Sequence, residues 1–177
     1  GLSIPVHGPG QVTNAAIAVM AAEAFFDRAL ADDLLAQAFD GLTLPARVEV
    51  ISHQPLVILD WSHNVPAADA LAATLNSEFH PLGSRVLVVG VLGGRRPAEL
   101  LEALSGARFD AVICTTPPSP RGLPATELAA AARGVGLDPV VVDDPREAVA
   151  TALRHAGDDD MVVVAGSFYL AAATRDL

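Results

Sequence analysis

From Leu56 to the C-terminus, short aliphatic runs alternate with longer stretches whose apolar residues recur at helical spacing. The short runs are Leu56–Leu59, Arg85–Val91, Ala111–Thr115, Pro139–Val142 and Met161–Ala165. The helical stretches are Pro66–Glu78, Pro97–Leu104, Ala125–Arg133, Arg146–His155 and Phe168–Arg175. Strands alternating with helices of this length predict parallel strands joined by right-handed crossovers. Their near-continuous Val, Leu and Ile content predicts burial on both faces. The pattern is that of an α/β domain, a doubly wound and mostly parallel sheet.

The first third of the chain has another rhythm. Gln11 to Leu30 is Ala-rich, free of Gly and Pro, and reads as a helix. A shorter helix is predicted over Ala31–Phe39, with Asp32 and Asp33 at its positive N-terminal end and Gly41 beyond its close. Arg47 to Ile51 alternates as a strand does. On this reading, the part before about Pro45 belongs to another body and Gly41–Gln54 joins the two. Gly1–Gly10 reads as a loop, and a chain opening on Gly rather than Met reads as a piece of a longer polypeptide.

Composition narrows the function classes. The net charge is −10, from 21 acidic and 11 basic residues, and no basic stripe offsets it. Such a field disfavours nucleic acid and anionic membrane as partners. The longest apolar run, Ala15–Ala22, falls far short of the roughly 20 residues a bilayer span needs. No secretory leader pattern is seen, so a cytoplasmic location is expected. One cysteine, Cys114, allows neither an internal disulfide nor a cysteine-built metal site, and its apolar strand predicts a core position.

Chemistry concentrates where the first aliphatic run ends, in Asp60-Trp61-Ser62-His63-Asn64. Open α/β sheets bind ligands beyond the carboxyl ends of their strands. Ser62 or Asn64 can cap the following helix, but capping leaves Asp60 and His63 unexplained. Gly90-Val91-Leu92-Gly93-Gly94-Arg95-Arg96 follows the second run, and its glycines permit close approach of a phosphate. It matches neither GxGxxG nor GxxxxGK[ST], and a Gly-rich turn with two solvated Arg remains open. Ala165-Gly166-Ser167-Phe168 ends the last run on the same rim, with Ser167 an apt cap. Thr115–Pro118 is expected as another wall, and Arg121 as a solvated residue. His7, His53, His80 and His155 lack partners at ligand spacing, and Asp158–Asp160 fall at the opposite, amino edge. No metal ligands are assigned to this chain, and no Ser-His-Asp triad can be assembled from local sequence.

Four segments, in order, resemble the C-terminal part of folylpolyglutamate synthase/dihydrofolate synthase, within the Mur ligase superfamily. Gly8-Pro9-Gly10-Gln11-Val12-Thr13-Asn14-Ala15-Ala16 is similar to G-x-H-Q-x-x-N-A-A. Leu44–Val50 is similar to the P-G-R-L-E-V hinge, Ile58–Asn64 to I-L-D-G-A-H-N, and Ala165–Leu170 to T-G-S-L-Y-L. The resemblance implies an ATP-dependent ligase. It would add L-glutamate to a folate or dihydropteroate carboxylate through an acyl phosphate, in folate and one-carbon metabolism. It implies ATP contacts at Asn14, Arg47 and Asp60, a catalytic and glutamate-side role for His63, and substrate contacts at Ser62 and Asn64. Residues 1–44 would close a central ATPase domain, and 45–177 would form the glutamate-ligase domain. The P-loop and the ligands for Mg2+ would lie upstream, so this piece alone is expected to be inactive. The departures are Trp61 for Gly, Ala46 for the hinge Gly, Gly10 for His, Pro66 one residue late, and Gly94-Arg95-Arg96 for an acid-Lys-Asp turn. They keep two alternatives open: a non-catalytic binding or regulatory module of this fold, and a ligase for peptidoglycan precursors. The missing glycine fingerprint speaks against a nicotinamide dehydrogenase, and the lack of clustered acids against a phosphoacceptor receiver domain.

Overall fold

A computed structural model describes residues 3–94 and 96–176. Gly1 and Leu2 of the predicted N-terminal loop, and Arg95 of the Gly-rich turn, lie outside the described residues. The elements run α1 (Pro9–Phe26), α2 (Asp32–Phe39), β1 (Glu49–His53), β2 (Leu56–Leu59), α3 (Val65–Glu78), β3 (Arg85–Val89) and α4 (Pro97–Ser105). They continue with β4 (Ala111–Cys114), α5 (Ala125–Gly134), β5 (Pro139–Val141), α6 (Pro145–His155), β6 (Met161–Ala165) and α7 (Phe168–Thr174).

The strands form one sheet in the order β1-β2-β6-β3-β4-β5, parallel from β2 to β5 and antiparallel only at the β1 edge. Alternation along each strand sorts the aliphatic residues onto two faces. Ile58, Leu87, Val89, Val112 and Val163 pack with α3, α4 and α5, whereas Leu59, Val88, Ile113, Val162 and Val164 pack with α6 and α7. Each such fully buried Leu or Val stabilises the fold by about 1.5–3 kcal/mol before chain entropy is counted. β6 lies in the middle, and all five of its residues are buried. Proline in the first turn starts α3, α4 and α6, where its missing N–H costs nothing, and Asn64, Asp144 and Ser167 cap α3, α6 and α7.

Three expectations are corrected. The segment Gly41–Gln54 does more than join two bodies, because β1 is part of the sheet, paired with β2. That strand starts two residues later than the alternation suggested, since Ala46 (φ 54°) and Val48 (φ 50°) form a left-handed turn ahead of it. The first helix ends at Phe26 rather than Leu30, where Asp27 turns left-handed at φ 50° and donates its N–H to the Glu23 carbonyl. α1 itself contributes no buried residue, and Val12, Ile17, Met20, Phe25 and Phe26 are all more than half exposed. Its start is tied to the end of α3, where Glu78 accepts from the Gly8 N–H at 3.0 Å and meets His7 Nδ1 at 2.9 Å. Among the described residues, no helix is long and apolar enough to cross a membrane.

Candidate functional site

The helices after β2 and β3 pack on one face of the sheet and the helix after β6 on the other. The chain therefore leaves the carboxyl rim in opposite directions around β6, which opens a crevice there. Two glycines let its walls close up. Gly166 has φ 111°, and a Cβ on it would stand 2.6 Å from the Gly90 carbonyl oxygen. A Cβ on Gly90 would stand 2.9 Å from the Thr115 oxygen.

Asp60 extends β2 by donating its N–H to the Val164 carbonyl at 2.9 Å. The residue is 8% exposed, and its carboxylate accepts two backbone N–H groups, Ser62 at 2.7 Å on Oδ1 and Val48 at 3.0 Å on Oδ2. The second bond holds a β-branched residue in the left-handed region, which costs about 1–2 kcal/mol. Two further contacts support the same turn. Trp61 N–H donates to the Ala46 carbonyl at 2.9 Å. Glu49 Oε2 accepts from the Ala46 N–H at 2.8 Å, while its Oε1 takes Arg175 at 2.7 Å. Burial raises the Asp60 pKa above the ordinary carboxylate value, opposed by the Ser62 and Val48 amides, by the nearby Ser62 hydroxyl and by the positive Arg47.

The Arg47 guanidinium lies over the Trp61 ring, 4.7 Å from its centroid. Trp61 meets Phe168 edge to face at 5.8 Å and 69°, and the His63 ring at 5.6 Å. His63 Nδ1 sits 3.1 Å from the Trp61 carbonyl oxygen. A proton on Nδ1 satisfies that carbonyl and leaves Nε2 as an acceptor. His63 separates two cavities. One, of about 150 Å³, is lined by Trp61, Leu92, Gly166, Ser167, Phe168 and Tyr169. The other, of about 240 Å³, is bordered by Asn64, Val65, Gly94, Arg96 and Glu99.

Several predicted residues have clear structural duties. Asn64 Oδ1 caps α3 by accepting the Ala67 N–H at 3.0 Å, which leaves its Nδ2 free of that duty. Ser167 Oγ caps α7, accepting from Tyr169 at 3.1 Å and Leu170 at 3.4 Å. Ser62 is 1% exposed, and its Oγ has no hydrogen-bond partner among the described residues. The exit of β4, expected as a wall, is tied up internally. Thr115 Oγ1 donates to the Asp143 carbonyl, and Thr116 Oγ1 donates to the Asp143 carboxylate while accepting from the Ala125 N–H. Arg121 is exposed, yet its carbonyl receives the Gly93 N–H at 2.7 Å and so ties the Pro-rich loop to the Gly-rich turn. Arg96 pairs with Glu99 at 3.0 Å on the surface, a contact worth little in stability.

The rim thus assembles Arg47, Asp60, Trp61, Ser62 and His63. Asn14 stands apart on the exposed side of α1, where its Nδ2 donates to Gln11 Oε1 at 3.1 Å. The aromatic pair Phe168–Tyr169 and the Glu49–Arg175 brace escaped the sequence reading. The first was visible as two adjacent aromatic residues directly after the Gly-Ser turn, and the second joins residues 126 positions apart. At the amino edge, Asp160 accepts the Gly157 and Ser84 N–H groups, which hold its carboxyl below the ordinary range. Cys114 is buried, and burial pushes its thiol up to about 11. Among the described residues, no group of three or more His, Cys, Asp or Glu side chains converges to hold a metal ion.

Residues 46–168 match the family described as Mur ligase, glutamate ligase domain. Dihydrofolate synthase/folylpolyglutamate synthase of Mycobacterium tuberculosis is 37% identical, over 98% of this chain and 39% of that protein. A crystal structure of M. tuberculosis folylpolyglutamate synthase complexed with ADP and AMPPCP superposes with a TM-score of 0.89 at 34% identity, covering 99% of this chain and 41% of that one. A bifunctional folylpolyglutamate synthase/dihydrofolate synthase with Mn, AMPPNP and L-glutamate bound gives a TM-score of 0.82 at 32% identity, covering 98% of this chain and 40% of that one. The chain therefore spans about two fifths of the length of the relatives it matches.

Proposed function

Because the chain belongs to the Mur ligase glutamate ligase domain family, we propose that it is the glutamate-handling part of an ATP-dependent ligase acting on a folate-type carboxylate. The observation that carries this reading is the meeting of Arg47, Asp60 and His63 at one rim of the sheet, beside two cavities. In the reaction, a carboxylate oxygen of the acceptor takes the γ-phosphoryl group of ATP, giving an acyl phosphate and ADP. The amine of L-glutamate attacks the acyl carbon, the C–O bond to phosphate breaks, and the amine nitrogen loses a proton as the amide forms.

The residues suit these steps. Each Asp60 oxygen accepts one N–H and keeps a second lone pair for a ribose hydroxyl. Arg47 lies over the Trp61 ring and carries a positive charge and N–H donors that suit a phosphate. His63, with Nε2 free, orients the glutamate or takes up the amine proton. Ser62, whose buried hydroxyl has no hydrogen-bond partner among the described residues, and Asn64, through its Nδ2, serve the substrate side. Asn14 contributes from the ATPase side. A divalent ion, when bound, neutralises phosphate charge, and its ligands and the P-loop are assigned to the polypeptide upstream.

We divide the chain at residues 44 and 45. Residues 1–44, with the unburied apolar side chains of α1, close an ATPase domain, and 45–177 form the glutamate-ligase domain. Closure of the two bodies would keep water from the hydrolysable acyl phosphate. The reaction is assigned to the cytoplasm, where ATP is supplied. The test is to measure phosphate release by the full-length gene product with dihydropteroate, folates and muropeptides, each with and without L-glutamate. Glutamate-dependent release with a pterin-type acceptor is expected. Release with muropeptides alone would move the chain to the peptidoglycan branch, and no release with any acceptor would favour a non-catalytic module.

A further inference from the structure

Resting on the ligase reading above, we infer that Glu49 and Arg175 are positioning residues for Arg47: helix α7 acts as a splint that holds the hinge turn, and with it the arginine assigned to the nucleotide. The turn needs holding. Ala46 and Val48, on either side of Arg47, stand in the left-handed region at φ 54° and 50°, which residues with a Cβ adopt only when their surroundings enforce it. Asp60 fixes the Val48 side by accepting its N–H, and Glu49 fixes the Ala46 side by accepting at 2.8 Å on Oε2. The two oxygens of Glu49 have separate duties. Oε1 takes two donors of Arg175, Nη2 at 2.7 Å and Nε at 3.1 Å, which holds the carboxylate in the orientation that serves Ala46.

The contacts close into a ring. Phe168 is the first residue of α7, and Arg175 directly follows its last. Seven helical residues span about 10 Å, and burial of Leu170, Ala171 and Thr174 anchors the helix. At one end Phe168 meets Trp61, which carries Arg47 on its ring and donates its N–H to the Ala46 carbonyl. At the other end Arg175 reaches Glu49, which holds the Ala46 N–H. Both backbone polar groups of Ala46 thus lead back to the same helix, one through each end. Burial sets this ion pair apart. The Glu49 side chain is 16% exposed, whereas the Arg96–Glu99 and Arg154–Glu147 pairs are at least half exposed on both sides. A pair so shielded loses less to solvent screening, and it links residues 126 positions apart rather than neighbours on one helix.

The test uses the full-length gene product. Arg175→Leu, at a half-exposed position, should speed amide hydrogen exchange in peptides spanning residues 46–48 at least about tenfold without nucleotide, and leave peptides of β6 unchanged. The same variant should raise the ATP KM about tenfold, the worth of one charge-assisted hydrogen bond, with the glutamate KM within about twofold. Glu49→Gln should do the same, and the double variant no more than either, because each removes the same brace. Arg175→Lys should recover part of the loss, and Arg154→Leu, which breaks an exposed pair on α6, should change neither readout. Unchanged exchange over 46–48, or exchange that quickens equally in β6, overturns the assignment, as does multiplication of the two single effects in the double variant. If exchange quickens over 46–48 alone while the ATP KM stays put in a protein that still ligates glutamate, the brace does not position Arg47 and the ligase reading stands. If exchange quickens there but the unsubstituted protein releases no phosphate with any acceptor, the ligase reading fails instead and the splint on the turn remains.

Discussion

Replacing Asp60 by Ala takes the acceptor away from two buried backbone amides at once. Hydrogen bonds to a charged acceptor are worth about 1.5–3 kcal/mol each, so losing those to Val48 and Ser62 costs about 3–6 kcal/mol. Two effects offset part of this. The turn at Ala46–Val48 can relax out of the left-handed region, returning about 1–2 kcal/mol. A carboxylate that burial disfavours is also gone. A net loss of about 2–4 kcal/mol follows, which lowers a urea midpoint by about 1–2 M for a domain of this size. Far-UV circular dichroism in urea is the assay, because Trp61 fluorescence would respond to its neighbour directly. The pH dependence gives an independent check. Folded Asp60 binds its proton more readily than the unfolded chain does, at an ordinary 3.8, so protonation favours the fold. Its titration therefore contributes stability below pH 3.8 that is lost as pH rises through the raised folded value. An Asp60→Asn variant, which does not titrate, lacks this component. A stability loss under about 0.5 kcal/mol for Asp60→Ala would refute the claim that this carboxylate holds the hinge turn.

Three further outcomes are expected. Gly166→Ala places a Cβ 2.6 Å from the Gly90 oxygen at a positive φ and should cost about 2–4 kcal/mol in denaturant unfolding, whereas Gly10→Ala in α1, with open space around it, should be neutral or stabilising by up to about 1 kcal/mol. His63→Ala in the full-length gene product should raise the glutamate KM or lower turnover by at least about tenfold while the ATP KM stays within about twofold, as steady-state kinetics will show. Cys114, buried and with its thiol at about 11, should ignore an aromatic disulfide reagent in native buffer at mildly alkaline pH and react once guanidinium unfolds the chain.

The sheet and its crossovers were legible because Val, Leu and Ile runs and helical spacing are local signals, and β2 and β6 match their predicted bounds. The placement of β6 between β2 and β3 was not, since strand order is set by packing between distant segments. β1 was misjudged as part of a connector because the turn before it depends on Asp60, twelve residues on, rather than on glycine. The cluster Asp60–Asn64 announced the rim, but its composition concealed the division of labour. Asn64 Oδ1 is spent on a cap, Asp60 on two amides, and only the tertiary fold brings Phe168 and Arg47 against the Trp61 ring. Asn14 lay within a recognisable motif, yet its helix touches no residue of the rim by a described hydrogen bond.

The central claim is that Arg47 and Asp60 face a nucleotide held by an upstream body, with His63 at the point of amide formation. A crystal structure of the full-length protein with AMPPCP and L-glutamate tests it most directly. The account predicts the ribose within hydrogen-bond reach of Asp60, phosphate oxygens at Arg47, and the glutamate amine beside His63. A nucleotide bound away from this rim, with Asp60 still enclosed by its two amides and Arg47 contacting only Trp61, would contradict it.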